Sequence, residues 1–130
     1  MKIVLDSNEF IFYLLENDKQ IDRIIHNEDF CIYVNEQIVK EVLRNIPRQL
    51  RSKFYHLLMK SNIFLDTELC SKEVFAKYKN LGFKKGDILI AGFCEMVEAK
   101  FLISENRHFL KQRVEPFTIV DKDEFCKKFF

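Results

Sequence analysis

A chain of 130 residues has room for one domain and little for a second. With 48% hydrophobic and 32% charged residues, 3 Gly and 2 Pro, it is excluded from the disordered, collagen-like and low-complexity classes. Twenty-one Lys and Arg against 20 Asp and Glu leave a formal charge of +1, which removes a global electrostatic grip on nucleic acid but not a local one.

Lys2 to Leu5 reads as a buried strand. Ser7 to Glu16 reads as a helix with Phe10, Ile11, Leu14 and Leu15 on one face, followed by a second from about Lys19 to His26. Phe30 to Val34, rich in aromatic and β-branched residues, is the next strand. Asn35 then stands as a helix cap before Ile38, Val39, Val42, Leu43 and Ile46, which recur at helical spacing up to Pro47. Another helix is expected from about Gln49 to Lys60, a short strand from Asn62 to Leu65, and a helix from about Ser71 to Tyr78. Gly86-Asp87 opens a helix, Ile88 to Val97, that is apolar nearly all round and so buried on both sides. Lys100 to Ser104 is a strand, Glu105-Asn106 a turn, Phe117 to Val120 the last strand, and a closing helix starts at Asp123.

Strands alternating with helices predict a single α/β domain over residues 1–130. It should be a three-layer sandwich with a short, mostly parallel sheet of four to five strands, joined by right-handed crossovers. Fourteen Phe and no Trp point to a core of packed phenylalanines. No apolar run reaches the roughly 18 residues of a membrane span, and MKIVLDSNEF lacks the apolar region of a signal peptide. Cys31, Cys70, Cys94 and Cys126 are scattered, so neither a zinc site nor a disulfide framework is expected, and the cytoplasm is the expected compartment.

Open parallel sheets bind ligands outside the carboxyl ends of their strands. Asp6-Ser7-Asn8 follows the first strand, Glu41 lies in the helix after the second, and Asp87 heads the buried helix. Glu105 and Asn106 follow the Lys100 to Ser104 strand. Taken singly, Asp6, Asp87 and Asn106 stand where a helix cap would, and Glu41 reads as a surface residue. Taken together, carboxylates on one rim repel one another unless a cation lies among them. All the candidate ligands are oxygens, so the cation is hard, and Mg²⁺ suits hydrolysis of a phosphodiester. A haloacid-dehalogenase phosphatase would want D-x-D after the first strand, and a response-regulator receiver would want an early acidic pair. Both are missing, as are the Gly-rich phosphate loops.

The segments VLDSNEFIFYL, IYVNEQIVKEVL and GDILIAGFCEMVEAKFLISENRHFL resemble PIN-domain ribonucleases, most closely in size the toxins of VapBC-type toxin–antitoxin pairs. The resemblance extends over nearly the whole chain. It implies a rim of acidic residues holding Mg²⁺ or Mn²⁺ and cutting RNA, with Asp6, Glu41, Asp87 and Asn106 as the catalytic set and Asp6 and Asp87 as direct metal ligands. Glu36 sits too early to replace Glu41. Asn106 stands where many members carry Asp, which removes one charge; Glu105, next to it, should point away. The resemblance further implies an antitoxin partner and a homodimer. An RNA-processing nuclease without an antitoxin, and a binding module without catalysis, remain alternatives.

From Lys40 to Lys60 six basic residues face Glu41 alone, with Tyr55 and His56 among them, a stretch suited to RNA or to plain solvation. Nearer the rim, Asn8, Lys84, Lys85, Ser104 and Arg107 are candidates to contact substrate. An antitoxin would cover the rim with a basic side chain, and the terminal Phe129-Phe130 would offer an apolar anchor to it or to a second copy.

Overall fold

A computed structural model describes residues 1–130. Its sheet has five strands, β1 (Lys2–Leu5), β2 (Cys31–Val34), β3 (Ile63–Leu65), β4 (Phe101–Ile103) and β5 (Thr118–Val120), in the order β3-β2-β1-β4-β5. Every pairing is parallel, so the sheet is parallel throughout and not only mostly so. Ile3, Val4 and Leu5 of β1 and Leu102 and Ile103 of β4 are fully buried, as expected where helices cover both faces.

The helices between the strands are α1 (Ser7–Glu16), α2 (Lys19–Ile25), α3 (Glu36–Asn45), α4 (Arg51–Leu57), α5 (Lys72–Asn80), α6 (Lys85–Met96), α7 (Arg107–Leu110) and α8 (Lys122–Phe129). The chain winds outward from β1 to β2 and β3, then jumps back across β1 to β4 and β5. With right-handed crossovers, α1 to α4 therefore cover one face and α5 to α7 the other, while α8, which follows the last strand, packs against α2. The strand order reverses between β1 and β4. Their carboxyl ends open the crevice in which such sheets place ligands.

Several expected elements shift. The helix expected over 49–60 is a 3₁₀ turn, Arg48–Leu50, followed by the short α4, because Pro47 holds an extended backbone and the chain must re-enter the helix. The closing helix begins at Lys122 and is capped by Asp121, which accepts from Glu124 N at 2.8 Å, so Asp123 lies inside it. The turn after β4 continues into α7, whose single turn is too short for a periodic pattern to reveal. Gly82, at φ +95°, makes the turn between α5 and α6, a conformation natural to glycine.

The aromatic core is real, and it absorbs the C-terminus. Phe125 packs against Phe30, Phe101 and Phe129 with ring centroids 5.1, 5.6 and 4.7 Å away. Phe129 and Phe130, expected as anchors for a partner, meet Phe30 edge-on, the Arg23 guanidinium lies 4.2 Å over the Phe130 ring, and both residues keep more than a third of their surface exposed. The four cysteines are free, and no helix is long and apolar enough to cross a membrane. Replacing Phe125 by Ala should cost about 3–5 kcal/mol and lower the melting temperature by roughly 10 °C. A thermal scan showing a loss below a few degrees would mean that this cluster does not anchor α8.

Candidate functional site

Strand β1 delivers Asp6 into the crevice with its backbone N–H still on the ladder, donating to Ile103 O at 2.9 Å. The side chain is 3% exposed. Asp6 Oδ1 accepts from Ser7 N at 2.7 Å, which caps α1, and Asp6 Oδ2 accepts from Ser104 Oγ at 2.6 Å. Ser104 Oγ also accepts from Asn106 N at 2.9 Å, so its one proton is committed to Asp6.

Ser7 joins Asp6 to Glu41. Its hydroxyl donates to Glu41 Oε1 at 2.8 Å and lies 3.4 Å from Asp6 Oδ1. Glu41 is thus half-buried and held, not free in solvent; Gln37 Nε2, one turn earlier on α3, donates to its other oxygen at 2.6 Å. Gly86 permits this approach. A Cβ there would lie 3.0 Å from Glu41 Oε2 and 3.1 Å from Gln37 Nε2, so the carboxylate rests against the first turn of α6, where free N–H groups favour an anion. Gly86 is a site residue that the sequence reading missed, since only the packed structure shows what its missing Cβ accommodates.

Asp87 does not cap α6. Lys84 occupies the cap position, and Asp87 is the third helical residue, half-buried and turned to the same crevice. Burial raises its pKa and the Glu41 charge raises it further, while His108, Lys84 and Asn106 pull it down. Asn106 Oδ1 accepts from His108 N at 2.9 Å and caps α7. Burial likewise pushes Asp6 up to about 6. Hydrogen bonds from Ser104 and Ser7 restrain that rise, and the charges of Glu41 and Asp87 add to it.

Asp6, Glu41, Asp87, Asn106 and Ser104 therefore share one crevice. Asn8 Oδ1 is buried beside it without a hydrogen-bond partner. Lys84 acts on Asp87 through its charge, whereas Lys85 and Arg107 are exposed and make no side-chain hydrogen bond or ion pair. Glu105 turns away from Asn106, as expected: its Oε2 accepts from Lys122 N at 3.2 Å, and its carboxyl faces Glu9. Glu9, which the sequence reading also missed, is fully buried with neither carboxyl oxygen in a well-formed hydrogen bond. Burial and the Glu105 carboxyl push its pKa up to about 10.

The donor set suits a hard divalent cation, since it is all oxygen and its carboxyls raise one another's pKa. No three His, Cys, Asp or Glu side chains form a ready-made cage. A cation held here would keep part of its water shell, as Mg²⁺ does with one or two carboxylates. Asp6 and Asp87 are the carboxylates in this crevice that could hold one.

An all-parallel five-stranded sheet with helices on both faces and acidic side chains in the β1/β4 crevice is a PIN-like fold. The chain is similar, with a TM-score of 0.70 and 15% identity, to a chain in the crystal structure of VapBC2 from Rickettsia felis bound to a DNA fragment from their promoter. The match covers 93% of this chain and 98% of that one. No protein-family model and no curated protein matches the sequence.

The raised Asp6 carboxyl sets a pH dependence. The folded, metal-free protein holds a proton on it that the unfolded chain has lost between pH 3.8 and about 6, so this group lowers stability as pH rises through that window. An Asp6→Asn variant cannot ionise. Its melting temperature should climb relative to the parent from about pH 4 to pH 6, by the equivalent of about 3 kcal/mol, and then run parallel. A difference independent of pH, measured in chelator, would refute the raised pKa.

Proposed function

We propose that this protein is a metal-dependent endoribonuclease and the toxin of a toxin–antitoxin pair. The observation that carries the reading is the Ser7 bridge, which holds the Asp6 and Glu41 carboxylates together in the crevice that Asp87 also faces. The likeness to a chain in the VapBC2 structure supports the toxin assignment and, with it, an antitoxin for this chain.

Mg²⁺ or Mn²⁺, when bound, would polarise a phosphoryl oxygen and lower the pKa of a bound water. Asp6 and Asp87 would hold the cation. Glu41, fixed by Ser7 and Gln37 at 2.8 and 2.6 Å, would orient the attacking water and take its proton. Ser104 keeps Asp6 aligned, and Asn106 beside Asp87 opposes the rise of its pKa. Lys84, exposed beside Asp87, supplies a positive charge for the phosphate backbone, with Lys85 and Arg107 on the same rim. A cytoplasmic location and a homodimer belong to the same proposal.

Incubation of the protein with RNA and Mg²⁺ or Mn²⁺ should give internal cleavage that chelator stops. Asp6→Asn, Asp87→Asn and Glu41→Gln should each lose at least about a hundredfold in rate while keeping the parent's circular dichroism. Undiminished cleavage by the two aspartate variants, or cleavage in chelator, would overturn the metal-centred reading. For the antitoxin, a small gene should adjoin this one, and its product should bind less tightly as Mg²⁺ is raised to millimolar levels, because a basic side chain and the cation compete for the same carboxylates.

A further inference from the structure

Strands β2 and β3 release the chain at Asn35 and Asp66, and between these exits and the flank of α6 lies a cavity of about 200 Å³. Its inner wall is apolar, formed by Leu89, Phe93, Met96 and Val97, and its mouth is polar, with Gln37 and Asp66. An apolar hollow of roughly 150 Å³ takes up a benzene ring, whereas sites for drug-sized ligands start at about 300 Å³. One planar ring system fits, and a peptide helix about 10 Å across does not.

Three features define that ring. First, the cavity adjoins the candidate active site, because Gln37 lines it and also donates to Glu41 Oε2 at 2.6 Å. Second, its mouth offers oxygen acceptors that no other side chain or backbone group of the chain occupies. Gln37 donates one N–H to Glu41, and its Oε1 makes no hydrogen bond within the chain; Asp66 Oδ1 accepts from Glu68 N at 2.8 Å, and Oδ2 makes none within the chain. Third, Glu36, Asp66 and Glu68 outnumber Lys40 around the opening, so the field rejects a phosphate inside and accepts an uncharged ring with N–H groups on its edge. Among RNA bases, guanine alone carries adjacent N1–H and N2–H₂ donors on its Watson–Crick edge, a pair that matches a carboxylate as a guanidinium does.

We propose that this cavity is a guanine subsite. It seats one base of the RNA strand, next to the phosphate held at the carboxylate rim, with Asp66 accepting from the base edge and the apolar wall of α6 taking its face. Lys40, at the mouth, meets the adjoining phosphate. The subsite deepens the ribonuclease reading and rests on it for the identity of the strand.

Two measurements test it. In the first, GMP, AMP, CMP and UMP are each titrated into the labelled, metal-free protein and followed by amide NMR. GMP should shift the signals of Asp66, Leu89 and Phe93 and bind about tenfold more tightly than UMP, and Asp66→Asn should abolish that preference. Leu89→Trp, which fills the cavity, should remove the shifts. Equal binding of all four nucleotides, shifts that avoid the cavity, or a preference that survives Asp66→Asn would overturn the proposal.

In the second, oligoribonucleotides with a single guanine, or none, are bound and cut with Mg²⁺ present. Cutting beside the guanine that Asp66→Asn redistributes to other positions supports the subsite. Cutting without regard to guanine overturns it while leaving the ribonuclease reading intact. Binding of GMP but of no guanine-bearing oligonucleotide overturns it in favour of a free-nucleotide site. Cavity shifts that arise only with a protein partner overturn it in favour of a docking surface.

Discussion

Asp6 stands at 3% exposure where the central strand leaves the sheet, and the surrounding polar groups are arranged around the cost of that buried charge. The ladder to Ile103 fixes its backbone, the Ser7 N–H and the Ser104 hydroxyl satisfy one oxygen each, and the Ser7 hydroxyl extends the network to Glu41. Because Ser104 Oγ also accepts from Asn106 N, its hydrogen can only point at Asp6. Two serines thus tie three separate segments of chain to one carboxylate. Even so, burial dominates these hydrogen bonds, and the pKa of Asp6 stays above the usual range. A bound cation would relieve that mismatch, and so would a guanidinium from another chain.

The acidic groups around Asp6 divide in two. Glu41 and Asp87 face one side of the crevice, where Lys84, His108 and the Asn106 amide soften their repulsion. Glu9 and Glu105 lie on the other, with Lys122 between them and Asp18; the Lys122 ammonium is 2.6 Å from Asp18 Oδ2. Lys122 also opens α8, which carries the phenylalanine cluster. The site and the aromatic core are therefore joined through the first turn of one helix. Burial and the Glu105 carboxyl favour the neutral form of Glu9, which keeps a second negative charge away from the back of Asp6.

At 15% identity the likeness to a chain of VapBC2 concerns the path of the backbone. The chemistry of this chain rests on its own side chains, and two of them diverge from the simplest acidic rim. Asn106 uses its oxygen as a helix cap and opposes the rise of the Asp87 pKa, so it tunes a carboxylate instead of adding one. Gly86 removes a side chain where Glu41 approaches α6, and it thereby brings a third carboxylate to the crevice.

The sequence by itself determined the class of fold and the order of its elements, because strand and helix periodicities are local and nearly every apolar run here is bounded by Asn, Asp, Gly or Pro. It also determined that Asp6 and Asn106 follow strand ends, that Glu41 lies in the helix after the second strand and that Asp87 lies in the first turn of the buried helix, positions that a parallel sheet can gather on one rim. Helix boundaries near Pro47 and Asn106 were less legible, since a single turn carries too few residues for a period. Only the tertiary structure decided what each polar group does once gathered. It turned Glu105 towards Glu9, gave the cap of α6 to Lys84, folded Phe129 and Phe130 onto the chain's own core, and opened a cavity beside Gln37. These outcomes depend on distances between residues far apart in the chain and on burial that shifts their charges, and neither is written in the spacing of residues along the sequence.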